Sequence, residues 1–496
     1  MDSYPAARRL ELTQDIAGHQ ISDPYRWLED DASPERAQWL SQQADLFAAQ
    51  RDQLPGRDQL AQSIRSLIDV GAAGLPAWRG SRCFYSRRDP GQEHAVLYTR
   101  GDGGPETVLL DPMVIDPSGL TTLDAWQPDK EGRLLAYQTS SGGDEETLIR
   151  VLDVETGTLV DGPIDRGRYT GIAWLPGGKA FYYVRRLPPD QVPADEAQHH
   201  RRVYLHVVGT PADQDTLIFG TGRHKTDYYG AGVSRDGRWL VISASRGTAP
   251  RNDLWIADLT ESSAEAPELA TVIEGVDAQT SVHAGRDGLL YVFTDLDAPR
   301  ARLAVCDPGA TDPGSWRDLL PQDAEAVLRN YAILDGLDRP VLLAAWTRHA
   351  VSEITVHDLV TGARLAAIEL PGLGTVSGLV ERPEGGHEAW FGYTDYTTPS
   401  TALHYDALTG TVSTWAAPPG QVPQIDVSAR QVAYRSGDGT VVRMIVLAPR
   451  AGAGTPRPAV LYGYGGFNVS LTPAYSSNLL AWVAAGGVWV VANLRG

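Results

Sequence analysis

The sequence predicts a mixed architecture: a seven-bladed β-propeller set between N-terminal helices and the first strands of an α/β domain. Three observations predict it. An apolar strand, a polar linker and a second strand ending in Asp or Tyr before a turn recur seven times, at a period of roughly fifty residues. Helical periodicity marks the first seventy residues or so. After Val422 the texture changes to strand, glycine loop, helix and strand, the order of a parallel sheet with a crossover.

The bulk composition fits this reading. The chain has 496 residues, 42% hydrophobic and 21% charged, with 13 Trp and 20 Tyr. That is too long for one core and too aromatic for disorder. Its 51 Gly and 33 Pro suit many short strands joined by tight turns.

The opening segment, residues 1–72, reads as helical. Ser33-Pro34-Glu35 is a helix start, with Ser as N-cap and Pro at the first helical position. Trp39, Leu40, Leu46 and Phe47 then recur at helical spacing. Leu60, Ile64, Leu67 and Ile68 mark a second helix.

The repeats occupy residues 73–422. Copies start at Cys83, Leu134, Ala180, Trp239, Leu289, Val341 and Ala389. About four strands per copy are expected, and each copy buries its faces only against its neighbours. Residues 423–496 open with VAYRSGDGTVVRMIVLAP, a hairpin closed by an Asp-Gly turn. AVLYGYGGFN then runs from an apolar strand into a glycine loop. NLLAWVAA reads as a short helix, Gly486-Gly487 as its stop, and VWVVANL as a buried strand rather than a membrane span.

Several function classes are disfavoured. A formal net charge of -19 opposes binding to nucleic-acid phosphates. Cys83 and Cys306 have neither zinc nor redox spacing and read as buried free thiols. The N-terminus carries no apolar signal region, so a cytoplasmic location is expected. Gly177-Gly178-Lys179 and Gly220-Thr221-Gly222 read as turns, not phosphate loops. His199-His200 sits in a polar loop without a partner carboxylate motif, and no metal or cofactor is expected. The acidic runs Glu29-Asp30-Asp31 and Asp144-Glu145-Glu146 read as solvated surface.

The glycine loop 463–466 carries the chemistry. Glycines let a backbone turn sharply and approach a carbonyl, and a loop after a buried strand supplies oxyanion donors in α/β hydrolases. The Tyr464 hydroxyl could be such a donor, since a phenol keeps its proton at neutral pH. An ordinary strand-to-loop turn with a packing aromatic would read the same way.

YGYGGFNVSLTPAYS with GGVWVVANLRG closely resembles the start of the catalytic domain of prolyl oligopeptidases. YPAARR…DPYRWLEDDASPE…W is similar to that family's opening, and SRDGRWLVISASRGTAPRNDLWIADL to one of its blades. The resemblance implies a serine peptidase that cuts short peptides after proline, with the propeller capping the active site and the N-terminal helices packing on the hydrolase domain. It implies Tyr464 as an oxyanion donor and Phe467 as the wall of the proline pocket. Tyr169 and Tyr229 stand where the family supplies more remote pocket residues.

It implies short proline-containing peptides as partners, and a monomer when full length. Relatives that cut after basic residues share this architecture, but Phe467 favours the post-proline branch. No G-x-S-x-G occurs; Ser234 in GVSRDG comes nearest and lacks the second glycine. In the family the triad follows ANxRGG, where Gly496 would be the first glycine of the pair. The chain is therefore expected to be a fragment, inactive alone. A propeller acting only as a binding module is the reading from another class.

Overall fold

The computed structural model describes residues 4–101, 103–451 and 454–495. Gly496 lies outside them. Two compact units result, Met1–Ser66 and Leu67–Gly496.

The first unit departs from the helical expectation. Thr13–Ile16 and His19–Ser22 form an antiparallel hairpin before any helix begins. Ala17 and Gly18 close it with φ of 53° and 83°, the left-handed pair that a two-residue hairpin turn requires. Asp15 accepts from the Gly18 amide at 2.9 Å. Strands of four residues are too short to show a period, so the sequence concealed them. Helix Pro34–Arg51 starts as expected, its Ser33 side chain accepting from the Arg36 amide. None of its residues is buried, and Leu40 and Phe47 are exposed.

In the second unit the described residues form seven consecutive antiparallel sheets, over residues 72–110, 121–164, 172–219, 227–273, 280–320, 326–368 and 375–416. Six have four strands in chain order. In the first sheet the opening strand is split into Ala72–Ala73 and Ala77–Arg79. The recurring sequence unit falls on the second and third strands of each sheet, as in Val341–Arg348 with Val351–Asp358. Its terminal Asp folds the following turn: Asp153, Asp258, Asp358 and Asp406 each accept from a backbone amide two or three residues on.

The sheets are held by the apolar faces between them. Leu343, Val356 and Ile354 of the sixth pack against Phe391, Tyr393 and Leu403 of the seventh. Equivalent clusters join the other neighbours in turn. The seventh sheet also packs on the first. Trp78 and Trp390 lie 5.3 Å apart with the Arg382 guanidinium 3.9 Å over Trp78, and Tyr85 meets Trp415 edge-on at 5.2 Å. At one end, side chains bridge sheets that are not neighbours. Lys130 donates to the carbonyls of Val233 and Ser234, and Arg235 pairs with Glu384 at 2.6 Å.

Residues 427–493 make a mixed four-stranded sheet. Hairpin Val427–Arg435 and Val441–Pro449 adds Val488–Asn493 antiparallel, and Ala459–Gly463 pairs in parallel with the last. Helix Ser477–Ala484 is the crossover between the parallel strands, with Leu479, Leu480, Ala481 and Val483 buried. Its stop at Gly486, φ 97°, matches the expected break. No helix among the described residues is long and apolar enough to cross a membrane. Both cysteines are free and buried.

Candidate functional site

The loop after strand Ala459–Gly463 is set by close approach. A Cβ on Gly463 would come 2.7 Å from Leu494 Cδ1, and Gly465 has φ 68°. After Gly466, Phe467 and Asn468 also adopt positive φ, 51° and 57°, without glycine's freedom. Such positions cost on the order of 1 kcal/mol each. The bend is fixed by the Val469 amide donating to the Gly466 carbonyl at 3.0 Å. The Asn493 side chain then clamps the segment, accepting from the Leu471 amide at 2.9 Å and donating to the Leu471 carbonyl at 3.2 Å.

The result is that Tyr464 and Phe467 stand out from the sheet, 51% and 78% exposed. A strained turn that presents two aromatic rings to solvent gains little from packing. Chemically it offers a phenol donor and a flat apolar wall on one loop. The segment that follows reaches the seventh sheet: Thr375 donates to the Pro473 carbonyl at 2.6 Å, and the Tyr475 amide donates to Thr394 Oγ1 at 3.2 Å.

Thr375 opens the first strand of its sheet and faces Thr394 at the end of the second. The matching end of the other sheets holds the remaining candidates. Tyr169, φ 55°, precedes the third sheet and is exposed; its hydroxyl donates to Glu145. Its ring lies 6.3 Å from that of Tyr228, on the first strand of the fourth sheet. The Tyr169 and Arg168 hydrogen bonds hold the Glu145 carboxyl below its ordinary range.

Tyr229 does not join this surface. It is buried between the third and fourth sheets, edge-on to Phe219 at 5.6 Å, and burial pushes its phenol up to about 12. Successive residues of a strand face opposite sides, so Tyr228, not Tyr229, is the ring beside Tyr169.

Other expectations resolve simply. Ser234 is a turn residue bonded to Asp236 and accepting from the Trp239 amide. Gly177 and Gly178 close a hairpin at φ 84° and 68°. His200 does have a carboxylate partner, a correction to the sequence reading: Glu196 lies 2.6 Å from its Nε2 and also binds Lys225. One buried constellation escaped the sequence altogether. His206 is fully buried between Asp161 and Asp215, at 2.8 and 2.7 Å.

Comparison with known proteins decides the family. The family described as prolyl oligopeptidase, N-terminal beta-propeller domain, matches residues 4–418. The chain belongs to the prolyl oligopeptidase family. The prolyl endopeptidase of Elizabethkingia meningoseptica is 32% identical over 498 residues, spanning 99% of this chain and 68% of that protein. Prolyl oligopeptidase A of Amanita bisporigera is 27% identical, over 99% of this chain and 69% of its own length. A solved prolyl endopeptidase structure superposes with a TM-score of 0.91 at 32% identity, covering 100% of this chain and 72% of the other. The β-propeller of this peptidase family therefore makes up most of the chain.

Proposed function

We propose that this chain is the propeller, together with the opening of the catalytic domain, of a serine-type oligopeptidase that cleaves short peptides on the carboxyl side of proline. The observation that carries the proposal is the strained 463–467 loop, which presents Tyr464 and Phe467 together beside the parallel strands. In this reading residues 1–72 are the N-terminal segment, 73–422 a propeller whose seven sheets are its blades, and 423–496 the first strands of an α/β-hydrolase domain. The packing of the seventh sheet on the first supports a closed ring.

Tyr464 donates to the oxyanion, and Phe467 receives the proline ring, which has no N–H and a fixed φ. Tyr169 and Tyr228 supply the remote wall. No G-x-S-x-G lies within residues 1–496, so these residues do not supply the serine of such an elbow. The span alone does not hydrolyse a Gly-Pro amide. The names of the relatives support peptide substrates and favour neither a binding module nor a basic-residue peptidase. A cytoplasmic monomer accords with this reading.

The test is kinetic, in the enzyme that carries this chain. Tyr464→Phe lowers kcat by roughly 10²–10³ with folding intact, whereas Phe467→Ala acts mainly on KM for prolyl substrates. An unchanged kcat in Tyr464→Phe removes that hydroxyl from the oxyanion hole.

A further inference from the structure

Beside Tyr169 the third sheet and the linker before it bring together three arginines. Arg168 pairs with Glu145 and lies 3.9 Å from Glu146. Arg186, itself buried, pairs with Glu146 and donates to Gln198 at 3.0 Å. Arg201 directly faces Arg186 across the strand pair and is different. It is 2% exposed, yet no carboxylate lies within 4 Å of it among the described residues, and its Nε and Nη1 make no hydrogen bond. Its guanidinium rests 3.9 Å over the ring of Tyr228. Arg186 and Arg168 add repulsion.

A guanidinium cannot shed its proton to escape burial. A ring face offsets only part of the desolvation of a buried charge. The cluster therefore has three cations, two carboxylates and one buried cation without an acid. It lies beside the two exposed tyrosine rings, at the end of the sheets where Thr375 meets the C-terminal segment.

We propose that Arg201, with Tyr228 and Tyr169, receives a carboxylate of the bound peptide, either an acidic side chain or the free C-terminus. This rests on the reading that peptides lie against this surface. A single negative charge makes the cluster neutral, and a planar carboxylate fits the guanidinium fork. A multiply charged phosphate would meet Glu145 and Glu146. Arg201 thus sets a preference among peptides and takes no part in the bond that is cut.

The experiment is calorimetric titration of the full chain with matched peptides. One pair differs as Glu against Gln on the N-terminal side of a proline, and another as free C-terminus against amide. A third replaces the proline by alanine. At least one carboxylate form binds about tenfold or more tighter than its neutral match, and the pair that shows it identifies the source. Arg201→Gln abolishes that difference while keeping affinity for the neutral peptide, and Arg201→Lys keeps part of it.

Equal affinities within both carboxylate pairs for the wild type overturn the proposal, as does absence of all binding. So does a difference that survives in Arg201→Gln. Equal wild-type affinities overturn the proposal even if Arg201→Gln misfolds, and Arg201→Lys then carries the assignment to Arg201. Loss of discrimination between proline and alanine, with the carboxylate difference intact, overturns the post-proline reading instead.

Discussion

The buried His206 should make the propeller lose stability as the solution turns alkaline. Asp161 and Asp215 flank its two ring nitrogens, and Tyr183 donates to the other oxygen of Asp215 at 2.6 Å. Burial by itself lowers the histidine, but the two carboxylates outweigh it and raise it from 6.5 to about 9. A group raised on folding stabilises fully below its unfolded value and loses that contribution as pH climbs through the folded one. A rise of this size corresponds to ~3 kcal/mol when fully expressed, with most of it still present at pH 7 and almost none left by pH 10. For a cooperative unit of roughly 400 residues that is a Tm change of about 3 °C.

Other groups titrate in the same window, so the useful quantity is a difference between proteins. His206→Gln keeps a donor of similar size that cannot be protonated. Calorimetric Tm is measured for both between pH 6 and 10. The wild type should fall about 3 °C further than the variant, which should already be less stable at pH 6. Parallel profiles would show that the histidine is not held as a cation and would refute the reasoning. The sign reverses in acid. The Asp161 carboxyl is held below its ordinary range, burial opposing and His206 prevailing. Its contribution is present above about pH 4 and is lost as pH falls through the lowered value.

Three further outcomes are expected. Trp78→Ala removes both the Trp390 contact and the Arg382 stack at the junction of the first and seventh sheets; it should cost about 3–5 kcal/mol and speed proteolysis there, which urea melts and timed digestion will report. Glu384→Ala breaks the pair with Arg235 and the acceptor of the Gly80 amide. Because that pair is partly exposed, stability should change by no more than about 1 kcal/mol, while hydrogen exchange at the Gly80 amide accelerates. Gly362→Ala places a Cβ 1.9 Å from the Leu319 carbonyl oxygen at φ 72°. It should destabilise by about 2 kcal/mol or more, seen as a lower urea midpoint at an unchanged slope.

The repeat was legible because its two middle strands are buried on both faces. Val341–Arg348 and Val351–Asp358 are nearly continuous burial, so their apolar runs survive in the sequence. The outer strands leave no such trace: Arg364–Ile368 is exposed except at Ile368. The C-terminal unit was legible for a different reason, since Gly486 and the 463–466 glycines punctuate each element where φ or close approach demands it. The hairpin at 13–22 was not, and neither was the parity of Tyr228 and Tyr229. DYYGAGV has no polar alternation to say which tyrosine faces inward, and one residue of slip exchanges a core ring for a surface ring.

Buried charge is the part of the site that no local pattern could disclose. His206 sits in the strand RRVYLHV, and its acids lie 45 residues before and nine after. Arg201 opens the same strand. Both side chains are removed from solvent, on opposite faces of that strand. What separates them is the accounting of partners across sheets. His206 has two carboxylates and is thereby a fixed structural cation. Arg201 has an aromatic face, two arginine neighbours and no acid. A cost left uncompensated within the described residues, at the end of the sheets nearest the C-terminal segment, argues for a partner that comes and goes with the peptide. The same burial that makes His206 a stability determinant therefore makes Arg201 a determinant of binding.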